Sequence, residues 1–138
     1  MIDDDLSRRI LITAALAGAS GVLLGALGAH GLDELLASRG IADDLINKRV
    51  DQFNVGVRYH LVHAVSLLAL ASVPFGTSAL RRWVARLFLL GLILFSGSLY
   101  LLVLTNTPVL GAITPIGGVA WIAAWVCLFF VALKPAQT

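Results

Sequence analysis

Three runs without a charged residue constrain this chain more than any other feature. Ile10–Leu32 spans 23 residues with no Asp, Glu, Lys or Arg, Tyr59–Leu80 spans 22, and Leu87–Leu133 spans 47. A mostly apolar stretch of about 18 residues or more reads as membrane-spanning, because ~20 helical residues cross a hydrocarbon layer of ~30 Å. The longest run exceeds one span at a rise of about 1.5 Å per residue. Thr105-Asn106-Thr107-Pro108 interrupts it, so it reads as two helices. The expected fold is therefore all-α, a four-transmembrane-helix bundle. Its spans fall near residues 10–30, 53–74, 87–104 and 113–133, and residues 1–138 form a single integral membrane domain.

Composition agrees. Hydrophobic residues make up 59% of the chain and charged residues 13%, against about a quarter charged in soluble domains. That balance excludes a disordered chain, a coiled coil and a nucleic-acid binder, and it fits poorly with a soluble globule. The lone Cys127 lies inside the last uncharged run, so the chain forms no internal disulfide. Arg8 and Arg9 precede the first run in the manner of a signal peptide. That run is much longer than the usual core of about 7–15 residues, so it reads as a retained span. Asp5 or Ser7 is the candidate cap of its helix.

Between the first two spans the chain turns acidic. Ile41, Leu45, Ile46, Val50, Phe53 and Val57 recur at helical spacing, with Asp43, Asp44, Asn47, Lys48 and Asp51 on the other face. This is an amphipathic segment that lies at the interface, runs directly into span two, or covers the bundle end as a solvated helix. Arg81, Arg82 and Arg86 flank Trp83 in the loop expected before span three, a basic and aromatic interface segment. With four spans, Arg8, Arg9, Arg81, Arg82, Arg86 and Lys134 share one side. Arg39, Lys48, Arg49 and Arg58 share the other side with five acids. The positive-inside bias puts both termini in the cytoplasm.

Small residues form two stripes. Ala14, Gly18, Gly21, Gly25 and Gly28 fall on one face of span one, and Gly117, Ala120, Ala124 and Cys127 on one face of span four, beside Gly118. Such stripes let helix backbones approach closely in lipid, within one bundle or between subunits.

Polar residues in lipid are costly and mark either a network or a site. The expected topology gathers His30, Tyr59, His63, Ser96, Ser98, Tyr100 and Thr114 in the outer half of the bundle. Tyr59, His63 and Ser66 share a helix face, as do Ser96 and Tyr100, whereas His60 points elsewhere, toward the interface. The plain reading is a hydrogen-bonded network fixing helix register; the sharper one is a ligand or proton-relay site. No HExxH motif or phosphate loop occurs, and the dry spans hold no carboxylate to orient a catalytic base. The three histidines supply at most three metal ligands, and His60 and His63 are three residues apart. No metal, cofactor or catalytic residue is expected.

Several of these segments together carry a family resemblance. Leu24-Gly25-Ala26-Leu27-Gly28-Ala29-His30-Gly31 closes span one, and Tyr59 and His63 open span two. Phe95-Ser96-Gly97-Ser98-Leu99-Tyr100 is followed by Leu104-Thr105, then Leu110-Gly111-Ala112-Ile113-Thr114-Pro115-Ile116-Gly117-Gly118 and Trp125. From about residue 10 to 133 the chain resembles domain-of-unknown-function family 423, the YgdD/YwdK type of small bacterial membrane proteins. The resemblance implies a four-span inner-membrane protein and adds no reaction. It also marks two departures: His60 stands where relatives usually carry glutamine, and Ala124 where they often carry glycine. The segment 33–52 is longer than in many relatives.

The leading functional expectation is a non-enzymatic protein acting through association with lipid, a second copy or another membrane protein. The alternative is a small oligomeric transporter or channel-like protein lined by the polar set. A metal-dependent or histidine-based enzyme ranks third.

Overall fold

The computed structural model describes residues 4–136. Helix α1 runs Asp4–His30, α2 Leu32–Ser38 and α3 Asp43–Ala71. Helix α4 (Ser78–Gly91) continues through a π-helical segment, Leu92–Gly97, into α5 (Ser98–Thr105). A 3₁₀ turn, Pro108–Ala112, leads into α6 (Thr114–Ala132). The described residues contain no β-strand, only an isolated bridge between Phe75 and Ala136.

Among the described residues three stretches are long and apolar enough to cross a membrane: Asp4–His30, Ser78–Thr105 and Pro108–Ala132. The expected second span is not among them. Its 22-residue uncharged run is divided, because α3 ends at Ala71 and residues 72–77 form a turn. Only Tyr59–Ala71 of that run is helical, ~20 Å at the α-helical rise. The rest of α3 carries Asp43, Asp44, Lys48, Arg49, Asp51 and Arg58.

The amphipathic segment takes one of its expected forms, since it runs directly into the apolar half as one helix. Other boundaries differ from expectation. The basic 81–86 segment is no loop but the first turns of α4, and Arg81 within it is fully buried. Asp5 and Ser7 lie inside α1, where Asp5 pairs with Arg9 and Ser7 accepts from Arg81.

The long helices pack antiparallel to their neighbours in sequence. Gly21 faces Leu61, Gly25 faces Val57 and Gly28 faces Phe53, so α3 runs back along α1. Tyr100 and Leu99 pack on Gly56, and Phe95 packs on Gly117, which sets α3, the α4–α5 rod and α6 side by side. Two apolar cores result. One gathers Leu6, Ile10, Leu67, Leu70, Phe88 and Trp121; the other gathers Leu32, Leu36, Phe53, Tyr100, Leu102 and Val103.

Side chains close the helix ends. Arg81 Nη2 donates to the Leu70 and Ala71 carbonyls (3.4 and 3.3 Å) and to Ser7 Oγ (2.8 Å), tying the end of α3 to α1. A cation at a helix C-terminus meets the carbonyls that no later turn can satisfy. At the opposite end Asn106 takes the left-handed conformation, φ 49°, that stops α5. Arg49 donates to its Oδ1 through Nε and Nη2 (3.1 and 2.8 Å), and Arg39 to the Leu104 carbonyl (2.6 Å).

Outside these cores the surface is greasy. Leu16, Leu23, Val65, Ile93, Val119, Ile122 and Phe129 are all more than half exposed, on every long helix. A soluble monomer rarely leaves so continuous an apolar surface open to water.

Candidate functional site

Two buried histidines on α3 stand at the seam between the cores. His60 and His63 are 3% and 4% exposed, so each polar nitrogen needs a partner within the protein. His60 reaches two other helices. Its Nε2 lies 2.9 Å from the Ala17 carbonyl and 3.4 Å from Ser20 Oγ on α1, and its Nδ1 lies 3.1 Å from Tyr100 Oη on α5. A carbonyl only accepts, so Nε2 carries the proton and Nδ1 accepts from the tyrosine hydroxyl.

His63 faces α6. Its ring stacks on Trp121 at 3.7 Å between centroids and 2° between planes. Nδ1–H donates to the Tyr59 carbonyl at 2.7 Å, and Trp125 Nε1–H donates to Nε2 at 3.4 Å. An indole N–H can only donate, so Nε2 holds a lone pair in this geometry. The two rings thus adopt opposite neutral tautomers. Phe88, Phe95 and Tyr59 complete the aromatic surround, with Trp121 Nε1 donating to the Phe88 carbonyl at 3.0 Å.

The serines fasten the α4–α5 rod. Ser96, fully buried, donates to the Gly56 carbonyl of α3 at 2.8 Å. Ser98 donates to the Phe95 carbonyl at 2.9 Å and meets Thr114 Oγ1 of α6 at 2.8 Å. The Ser98 bond is a local one within the rod, to a Phe95 carbonyl that also accepts the Ser98 backbone N–H.

The expected polar set is therefore divided. Tyr59 and His63 join the tryptophans, Tyr100 joins His60, and Ser98 joins Thr114. His30 is exposed at the end of α1, apart from all of them. His60 does not point to the interface; it is as deeply packed as His63. Ser20, Trp121 and Arg81 carried no motif that marked them.

The glycines differ among themselves. A Cβ on Gly21, Gly25 or Gly28 would press on α3, and one on Gly117 would meet the backbone of Leu94 and Phe95. Gly118 has only ordinary contacts, and around Gly18 there is open space. Gly56 and Gly91, outside either stripe, seat the Tyr100 and Trp121 rings.

Two apolar clefts open sideways beside this network. One, of about 420 Å³, lies between α1 and α3 and includes Leu11, Gly18, Val22, Leu61 and Leu68. The other, of about 520 Å³, lies between α1 and the Leu92–Leu101 stretch, with Ser20, His60, Ser98 and Tyr100 among otherwise apolar walls. Among the described residues no three His, Cys, Asp or Glu side chains are grouped to hold a metal ion.

Apolar helices of spanning length, a greasy exterior and paired interior polar groups define a helical membrane protein. More particularly, the chain belongs to the family described as protein of unknown function (DUF423), which matches residues 24–118. A UPF0382 membrane protein of Staphylococcus epidermidis is 38% identical, covering 90% of this chain and 94% of the relative. The UPF0382 membrane protein YwdK of Bacillus subtilis is 36% identical, covering 90% and 95%. The UPF0382 inner membrane protein YgdD of Escherichia coli is 33% identical, covering 93% and 92%. No solved structure matches the chain.

Proposed function

We propose that the protein is a four-span bacterial inner-membrane protein, both termini cytoplasmic, that acts by lateral association in the bilayer. Helix α3 is the fourth span despite its low apolarity. It pairs with α1 along Gly21, Gly25 and Gly28, and a helix laid beside a span crosses the same layer. Its two histidines face inward and are paired, which removes most of their cost in lipid.

One observation carries the functional reading. His60, His63, Ser96 and Ser98 each bond to another helix in the interior, whereas the clefts beside them are largely apolar and open to the side. This supports a helix or lipid binder acting without chemistry of its own. The Gly21–Gly28 face already holds α3, so an external partner is assigned to the cleft at Gly18. In a Cys127→Ser background, Gly18→Cys should crosslink to a second copy or another membrane protein in native membranes. Gly25→Cys should not. Monomer alone from Gly18→Cys contradicts the reading.

The second cleft favours a second reading, an oligomeric transporter. Ser20, His60, Ser98 and Tyr100 reach that cleft, and a neighbouring copy would close it into a passage. Flux in proteoliposomes that falls in His60→Ala supports it; flux unchanged by that substitution removes His60 from the path.

A further inference from the structure

We propose that the N-terminal end of the molecule holds one anionic phospholipid, its phosphodiester on Arg9, Arg82 and Arg86 and an acyl chain in the groove below them. This goes beyond lateral association and requires only the membrane setting.

A cleft of about 380 Å³ lies between the first turns of α1 and α4, lined by Asp5, Leu6, Arg9, Arg82 and Arg86. Arg82 and Arg86 are one helical turn apart and share a face of α4, with Arg9 opposite on α1. Among the described residues, three cations thus line a space with one acid. Asp5 takes Arg9 Nε at 3.0 Å, and a guanidinium has four further N–H donors. Planar, weakly hydrated guanidinium groups suit a phosphate better than ammonium groups do.

A second, smaller groove of about 140 Å³ shares Arg9, Arg82 and Arg86 and continues over Ile10, Thr13, Leu67, Ala85 and Leu89. A polar cradle therefore adjoins an apolar trough, which is the division of a phospholipid into headgroup and chain. A free phosphate would have no use for the trough.

The depth fits. Arg9 and His30 are separated by ~32 Å along α1, one hydrocarbon thickness, so Arg9 lies at an interface. Trp83 is 57% exposed, with Arg86 Cζ 5.5 Å from its ring centroid. An exposed tryptophan beside arginines marks the headgroup level. Basic pockets between spans bind anionic lipid headgroups at this depth.

The test uses the full chain, delipidated in neutral detergent and titrated with dioleoylphosphatidylglycerol or dioleoylphosphatidylcholine. Native mass spectrometry counts the lipids retained. One phosphatidylglycerol per chain is expected in preference to phosphatidylcholine. Affinity should fall roughly fivefold for each arginine removed, about 25-fold in Arg82→Gln/Arg86→Gln. Arg58→Gln, midway along α3 and outside both grooves, should change nothing. Ala85→Phe, which fills the trough, should lower retention with all arginines in place. Inorganic phosphate at millimolar concentration should not displace the lipid. Equal retention of both lipids overturns the proposal, and so does an equal loss in Arg58→Gln. Displacement by phosphate together with an Ala85→Phe variant of full affinity shows a soluble-anion site and overturns it as well. If the double variant does not fold, Arg82→Gln alone carries the same comparison.

Discussion

The imidazole of His63 lies flat on the indole of Trp121, 3.7 Å between ring centroids and 2° from parallel. This contact joins α3 to α6, and its position depends on a glycine in a third helix. Gly91 of α4 leaves the space that the Trp121 ring fills, because a Cβ there would fall within the indole. Gly91→Ala is expected to displace Trp121, weaken the stack and break the bond from Trp121 Nε1 to the Phe88 carbonyl. Overpacking of this kind costs about 1–3 kcal/mol. Thermal unfolding in detergent should show a lower midpoint. An unchanged midpoint would show that the indole can move freely.

Gly117 and Gly18 make a paired prediction, since both belong to small-residue stripes. A Cβ on Gly117 would meet the Leu94 carbonyl carbon at 2.8 Å, whereas one on Gly18 has nothing within 4 Å. Backbone cannot step aside as a flexible side chain can. Gly117→Ala should therefore destabilise by at least ~1 kcal/mol, and Gly18→Ala should not destabilise at all. Equal stability losses in the two variants would remove the distinction drawn between them.

His60 can be tested through its partners. Glutamine offers a donor for the Ala17 carbonyl and an acceptor for Tyr100 Oη, so His60→Gln should keep near-native stability. His60→Leu removes the histidine acceptor of the tyrosine hydroxyl, at about 1–3 kcal/mol. Adding Tyr100→Phe to His60→Leu should recover part of that loss, a coupling that a double-mutant cycle in detergent measures. Additive losses would mean that the hydrogen bond contributes little.

Arg81 ties α1, α3 and α4 together at a point of zero exposure. Arg81→Lys keeps the charge but replaces the guanidinium, whose Nη2 reaches Ser7 and two carbonyls, with a shorter, more strongly hydrated ammonium. Both Arg81→Lys and Arg81→Met should destabilise, the latter by about 3 kcal/mol, as expected for losing hydrogen bonds from a charged group. Protease access near residues 72–77 reports the freed end of α3. Resistance equal to the native protein would argue against the tie.

Uncharged runs were enough to indicate α1, the α4–α5 rod and α6, because lipid demands uninterrupted apolar length. They misjudged α3, where 13 apolar-rich helical residues follow a charged half and a turn absorbs the rest of the run. Tyr59 and His63 were legible as polar groups sharing one face of α3. Their aromatic partners were not, since Trp121 looks like any lipid-facing indole until α4 supplies Gly91 opposite it. His60 was misplaced because only tertiary packing decides whether a residue one turn away faces α1 or the interface. Arg81 looked like an interfacial cation among three, and its burial follows from where α3 happens to end.

The four-span arrangement requires α3 to cross the bilayer beside α1, although α3 lacks apolar length of its own. In a Cys127→Ser background, single cysteines at Asn47 and Ser72 place a thiol near each end of α3, and both positions are exposed. Labelling with a membrane-impermeant maleimide, in intact cells and in inverted vesicles, reads the side on which each thiol lies. Asn47→Cys should label from the periplasmic side and Ser72→Cys from the cytoplasmic side. Labelling of both from the same side would contradict the four-span arrangement.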